Sequence, residues 1–109
     1  MLGSLSLAGL PYWKLVARLT SGAWKGKKII FLGDSITQAG DYINFLESSL
    51  LTANPTASTE LINLGLASET ISGLSEEDHP FPRPYLHDRL PSILKYTSPD
   101  IIVACYGIN

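Results

Sequence analysis

Cysteine is scarce in this sequence, and its charge is close to balanced. Cys105 is the single cysteine, so no disulfide can form within the chain. Its apolar neighbours in the run Ile101-Ile-Val-Ala104 predict a small buried side chain in a strand. Eight Lys and Arg residues against ten Asp and Glu residues give a net charge of -2. This balance disfavours a nucleic-acid-binding face.

Long apolar runs are also missing. The N-terminal stretch Met1–Leu10 is apolar, but Lys14 and Arg18 interrupt it far short of a membrane span. It lacks the basic region that precedes the apolar core of a signal peptide, so a secretory signal is disfavoured and the cellular location stays open. We interpret residues 1–24 as an N-terminal extension. Three apolar side chains predict the stripe of a short helix there: Tyr12, Val16 and Leu19.

Motifs that would imply a bound cofactor are absent as well. The His, Cys and carboxylate residues show no metal-ligand spacing. The segment Gly33–Thr37 has neither the GxGxxG pattern of dinucleotide-binding proteins nor the lysine of a P-loop. We therefore expect no metal ion and no other cofactor.

What the sequence does contain is an alternation of strand and helix patterns. The chain has 109 residues, of which 45% are hydrophobic and 17% charged, as is typical of one folded domain. Three short runs predict strands: Ile29–Leu32 closed by Gly33, Thr59–Leu64, and Asp100–Gly107. The first and the third are apolar enough to be covered on both faces of a sheet. Two runs with helical spacing lie between these strands. The first contains Tyr42, Phe45, Leu46, Ser49 and Leu50 and is ended by Asn54-Pro55. The second contains Leu86, Leu90, Ile93 and Leu94, with a kink or restart at Pro91.

The order strand, helix, strand, helix, strand predicts an α/β fold with a parallel sheet. A strand order of 2-1-3 would leave the third strand as an exposed apolar edge, which predicts self-association. The segment Leu66–Pro84 is too rich in proline, glycine and serine for a regular element. Loops of this length inside a compact domain are usually functional or disordered.

All three predicted strands end in turns of small or polar residues. These turns are Gly33-Asp-Ser35, Asn63-Leu-Gly65 and Tyr106-Gly-Ile-Asn109. Ligands of open parallel sheets bind at the carboxyl ends of the strands. We therefore expect the three turns to meet at one edge of the sheet.

Ser35 stands between a predicted strand and a predicted helix, where two roles are open. Its side chain can cap the helix by accepting a hydrogen bond from a backbone N–H. The position also suits a nucleophile, because the partial positive charge of a helix N-terminus favours a developing alkoxide. A hydrolase would further need donors for the oxyanion of a tetrahedral intermediate. The backbone N–H groups of Ser35 and Gly65 and the carboxamide of Asn109 are such donors.

Three ordered blocks together resemble the SGNH (GDSL-type) hydrolase family. Gly33-Asp34-Ser35-Ile36-Thr37 looks like its nucleophile motif, Asn63-Leu-Gly65 like its second block and Gly107-Ile-Asn109 like its third. The resemblance runs from about Lys27 to the last residue. It implies a flavodoxin-like three-layer α/β/α sandwich with a parallel sheet, of which about three strands are present.

By this resemblance Ser35 is the nucleophile, and Gly65 and Asn109 complete the oxyanion hole. Members of the family are esterases, lipases, thioesterases and carbohydrate deacetylases, so the expected substrate is a small-molecule or carbohydrate ester. The stretch Leu74–Leu90 also looks like a subgroup of bacterial members. Three residues are candidate substrate contacts: Asp34, Arg83 and His87.

The sequence departs from the family pattern in one respect. The family's fourth block, an Asp-x-x-His, provides the base that activates the serine and the acid that orients the base, and this sequence lacks it. His79 and His87 follow the second strand, where the family does not keep its base, so substitution by either is disfavoured. We expect residues 25–109 to be the N-terminal part of a longer hydrolase domain, and the isolated chain to be inactive.

Two other interpretations remain. The chain can be a non-catalytic Rossmann-like module that binds a phosphate or nucleotide at the turn after Gly33, because helix N-termini bind anions. It can also be an inert or interacting remnant with a strong tendency to self-associate. Neither interpretation needs a nucleophilic serine.

Overall fold

The computed structural model describes Pro11, Gly22 and residues 24–109. The predicted helix stripe of Tyr12, Val16 and Leu19 lies outside the described residues. Six elements follow one another along the chain: β1 Lys28–Gly33, α1 Ser35–Ala39, α2 Asp41–Ala53, β2 Glu60–Asn63, α3 Leu86–Thr97 and β3 Ile101–Cys105.

The three strands form one parallel sheet in the order β2-β1-β3. In the centre of the sheet Ile30 of β1 pairs with Ile62 of β2 and with Ile102 of β3. The predicted α/β class and the parallel sheet are therefore confirmed. Because β1 has neighbours on both sides, its run of four apolar residues is buried throughout.

Helices cover both faces of the sheet. Side chains of a strand alternate between its faces, so Ile30 and Leu32 pack with Leu86 and Ile93 of α3. On the other face Ile29 and Phe31 pack with Ile43 of α2, among other residues. The result is the three-layer α/β/α arrangement, of flavodoxin-like type, that the sequence led us to expect.

The helices begin and end close to the predicted positions. Gly40 has a φ of +83° and separates α1 from α2. The helix α2 ends at Asn54, whose backbone N–H still donates to Leu50. Pro91 lies inside α3, which continues to Thr97 without a restart. Because proline has no N–H, the helix loses one backbone hydrogen bond at this position.

The strand β3 lies at an edge of the sheet, as predicted for this strand order. The prediction that Cys105 is buried is wrong, because its side chain is exposed. An edge strand is paired on one side only, and Cys105 is the last residue of β3, so nothing encloses it. Self-association through this edge stays a prediction.

No helix in the described part of the chain is both long enough and apolar enough to span a membrane.

The sheet gives a direct test of which residues hold the fold. We expect Ile30→Ala to lower the free energy of unfolding by about 2–5 kcal/mol, because it leaves a cavity in the core. Its partner on the edge strand, Ile102, is 46% exposed whereas Ile30 is 0% exposed. Ile102→Ala should therefore cost less than about 1 kcal/mol. Urea denaturation measures both variants, and equal losses would contradict this account of the core.

Candidate functional site

The first turn places Ser35 at the surface. Asp34 is the N-cap of α1, and its side chain accepts a hydrogen bond of 3.0 Å from the Ile36 N–H. Asp34 is 3% exposed, whereas Ser35, the first residue of the helix, is exposed. The capping role considered for Ser35 thus belongs to Asp34. Within residues 24–109 neither the hydroxyl nor the backbone N–H of Ser35 makes a hydrogen bond, so both are available to a ligand.

The turn is tight because Gly33 has no side chain. A Cβ on Gly33 would lie 2.0 Å from Thr37 Oγ1 and 2.9 Å from the carbonyl oxygen of Cys105. Thr37 is fully buried, and its hydroxyl lies 2.8 Å from the Tyr42 hydroxyl of α2. The first turn is therefore held between β3 and α2.

The second turn packs directly against the first. A Cβ on Gly65 would lie 2.3 Å from the backbone nitrogen of Gln38 and 2.7 Å from the carbonyl carbon of Thr37. The side chain of Asn63 links the two turns, since its Nδ2 donates to the Thr37 carbonyl at 2.7 Å. Close approach of two backbones explains the glycine at position 65.

The Gly65 N–H, predicted to be an oxyanion donor, has an acceptor in this structure. It donates to Asn63 Oδ1 at 2.9 Å. A bound oxyanion would share this N–H with Asn63 or displace the Asn63 oxygen. The Gly65 N–H is therefore not free in this structure.

The third turn brings Asn109 to the segment that follows β2. Its Nδ2 donates to the carbonyl oxygen of Glu69 at 3.3 Å, which leaves the second N–H of the carboxamide for a ligand. Asn109 lines a cavity of about 260 Å³ and an adjoining one of about 300 Å³. The residues lining these two cavities do not include Ser35 or Gly65.

A buried ion pair lies beside Asn109. Glu69 is 1% exposed, and its two carboxylate oxygens accept from Nε and Nη2 of Arg89 at 2.5 and 2.7 Å. The hydroxyl of Tyr106 donates to the same carboxylate. Burial, reinforced by this hydrogen bond to Glu69, raises the pKa of Tyr106 above its ordinary value. The hydrogen bonds to Glu69 likewise raise the pKa of Arg89.

Sequence reasoning missed this group of three residues. One signal was available for Arg89, which lies three residues after Leu86 and four before Ile93 and so belongs to the core-facing stripe of α3. A charged residue on such a stripe requires a buried partner. Glu69 carries no comparable local signal.

The remaining candidate contacts lie in the loop and at the start of α3. Arg83 donates from Nε and Nη2 to Glu76 at 2.6 and 2.9 Å, so its charge is already paired. His87 is exposed, with its ring 5.0 Å from the Tyr85 ring. His79 Nδ1 contacts the Phe81 carbonyl. In the described part of the chain neither histidine is hydrogen-bonded to Ser35.

The chain was compared with protein-family models, with curated proteins and with solved structures, and none of them matches it. Function is therefore inferred from the residues and their geometry.

The contact between the first two turns can be tested at Gly65. The added Cβ in Gly65→Ala would collide with backbone atoms of α1, which cannot move as a flexible side chain would. We expect a loss of about 1–3 kcal/mol in the free energy of unfolding. Ala67→Ser, two residues after Gly65 and exposed, should change it by less than about 0.5 kcal/mol. A Gly65→Ala variant as stable as the parent in urea would refute the close approach.

The Glu76–Arg83 pair predicts a pH dependence for the loop. Its hydrogen bond to Arg83 lowers the pKa of Glu76 from 4.5 to about 2. A lowered carboxyl pKa stabilises the loop fully above pH 4.5, and this contribution disappears as the pH falls through about 2. In Arg83→Ala the pKa of the Glu76 carboxyl should rise toward its ordinary value of 4.5, which an NMR titration measures. Lys95→Ala should leave its midpoint unchanged, and an unshifted midpoint in Arg83→Ala would contradict the pairing.

Proposed function

We propose that this chain is of the SGNH (GDSL-type) hydrolase kind and carries the serine nucleophile and the oxyanion hole of an ester hydrolase. The main support for the proposal is the exposure of Ser35 and the lack of a hydrogen-bond partner for its hydroxyl and N–H in the described part of the chain. Ser35 stands at the first position of α1, and Asp34 rather than Ser35 caps that helix. Its hydroxyl and its N–H can therefore both act on a substrate.

The proposed reaction is acyl transfer through a serine ester. The Ser35 hydroxyl attacks the ester carbonyl and loses its proton to a base, which then returns it to the departing alcohol. The N–H groups of Ser35 and Gly65 and the Asn109 carboxamide stabilise the oxyanion. Water then attacks the acyl-serine, releases the acid and restores the hydroxyl. The resemblance assigns the base to an Asp-x-x-His pair, which is not among the 109 residues.

The tight contact of the first two turns supports the proposed oxyanion hole. Catalysis of this type depends on donors that are already in position before charge develops. Gly65 is held against Thr37 and Gln38 with no room for a Cβ, and Asn63 bonds to both turns. Two of the three proposed donors therefore belong to one rigid unit.

The rival function, phosphate or nucleotide binding at the first turn, has weaker physical support. The carboxylate of Asp34 occupies the capping position and already accepts from Ile36. A phosphate is charged in its ground state, so binding it beside this carboxylate would place two negative charges close together. The helix α1 is only five residues long, so its dipole is small. These features favour an ester, which is neutral, over a phosphate.

The proposal is tested on the protein that carries this sequence with a fluorophosphonate ester. We expect a covalent adduct on Ser35, located by peptide mass spectrometry, together with hydrolysis of p-nitrophenyl acetate. Ser35→Ala should abolish labelling and lower kcat by at least about 10³-fold.

Ser48→Ala is the matched control, because Ser48 is exposed on α2 and its hydroxyl makes no hydrogen bond in the described structure. It should be labelled and active like the parent protein. An adduct on another residue, or hydrolysis that survives Ser35→Ala, would disprove the nucleophile assignment.

A further inference from the structure

The carboxylate of Glu69 is buried between the second and third turns. Arg89 donates to both of its oxygens, and the Tyr106 hydroxyl donates to one of them. A buried carboxylate is stable only when its charge is paired and its oxygens accept hydrogen bonds. The three side chains therefore fix one another in a single arrangement.

The first connection runs from this group to the Gly65 N–H. Besides Glu69, Arg89 Nη2 donates to the carbonyl oxygen of Leu64 at 2.6 Å. That oxygen belongs to the same planar peptide group as the Gly65 N–H. Holding the carbonyl therefore also sets the direction of the N–H. The cation in addition polarises the peptide group, which makes the N–H a stronger donor.

The second connection runs to Asn109. Tyr106 begins the turn that carries Asn109, and its hydroxyl is anchored on the Glu69 carboxylate. The backbone carbonyl of Glu69 also accepts from the Asn109 carboxamide at 3.3 Å. Glu69 thus holds the third turn both by its side chain and by its main chain.

We propose that Glu69 is a positioning residue: through Arg89 and Tyr106 it fixes the Gly65 N–H and the Asn109 carboxamide relative to each other. The inference rests on the oxyanion role proposed above for these two donors. Glu69 does not touch the substrate in this account. Its effect is on the geometry of the donors, where a displacement of about 1 Å can cost about 10²-fold in rate.

The kinetic test compares Glu69→Gln and Tyr106→Phe with the parent protein on p-nitrophenyl acetate. We expect kcat to fall in both, by about 10²-fold in Glu69→Gln, with little change in KM, because donor geometry matters most in the transition state. Two controls remove the same groups from exposed positions, Glu60→Gln on β2 and Tyr96→Phe on α3. Both should keep the parental kcat. Folded Glu69→Gln and Tyr106→Phe proteins with parental kcat, or with a change in KM alone, would overturn the proposal.

An NMR measurement separates this inference from the proposed function. The Asn109 carboxamide signals should shift in Tyr106→Phe and stay in place in Tyr96→Phe. If the parent protein shows no hydrolysis that depends on Ser35, the proposed function fails, and these signals still decide the positioning role. Unmoved signals in Tyr106→Phe would overturn it. Should Glu69→Gln unfold, Tyr106→Phe decides, because it leaves the Arg89–Glu69 pair intact.

Discussion

Burial of β1 is the constraint on which the rest of the structure depends. Its run Ile29–Leu32 offers an apolar side chain to each face in turn, so both faces must be covered by separate helices. Pairing on both sides then places β2 and β3 parallel to it. Because all three strands run in the same direction, their carboxyl ends lie at one edge. The location of the three polar turns is therefore a consequence of hydrophobic burial.

The buried polar side chains near that edge are hydrogen-bonded. Asp34, Thr37, Glu69 and Thr70 are the buried polar residues, and in the described part of the chain no buried side-chain nitrogen or oxygen lacks a partner. Unpaired groups of this kind would be costly. Hydrogen bonds among the described residues thus link the first turn to the second, and Asn109 to Glu69.

The fold was largely predictable from the sequence, whereas the site was only partly so. Apolar runs and helical spacing are local signals, and they predicted the three strands and the two longer helices. Asp34 and Ser35 are both good N-caps, so sequence alone did not decide between them. The links of Glu69 to Arg89 and Tyr106 join residues 20 and 37 positions apart. Such pairings arise only when the sheet has assembled, and no local pattern contains them.

Two backbone hydrogen bonds join the two ends of the loop between Thr70 and Leu86. The backbone of Thr70 accepts from the Leu86 N–H at 3.0 Å and donates to the Pro84 carbonyl at 2.9 Å. The segment between Thr70 and Pro84 therefore begins and ends at one place, beside the turns. Doubling the length of a flexible loop costs only about 0.6 kcal/mol in closure entropy. A change in the length of that segment should therefore cost little free energy of unfolding and leave the sheet and helices in place.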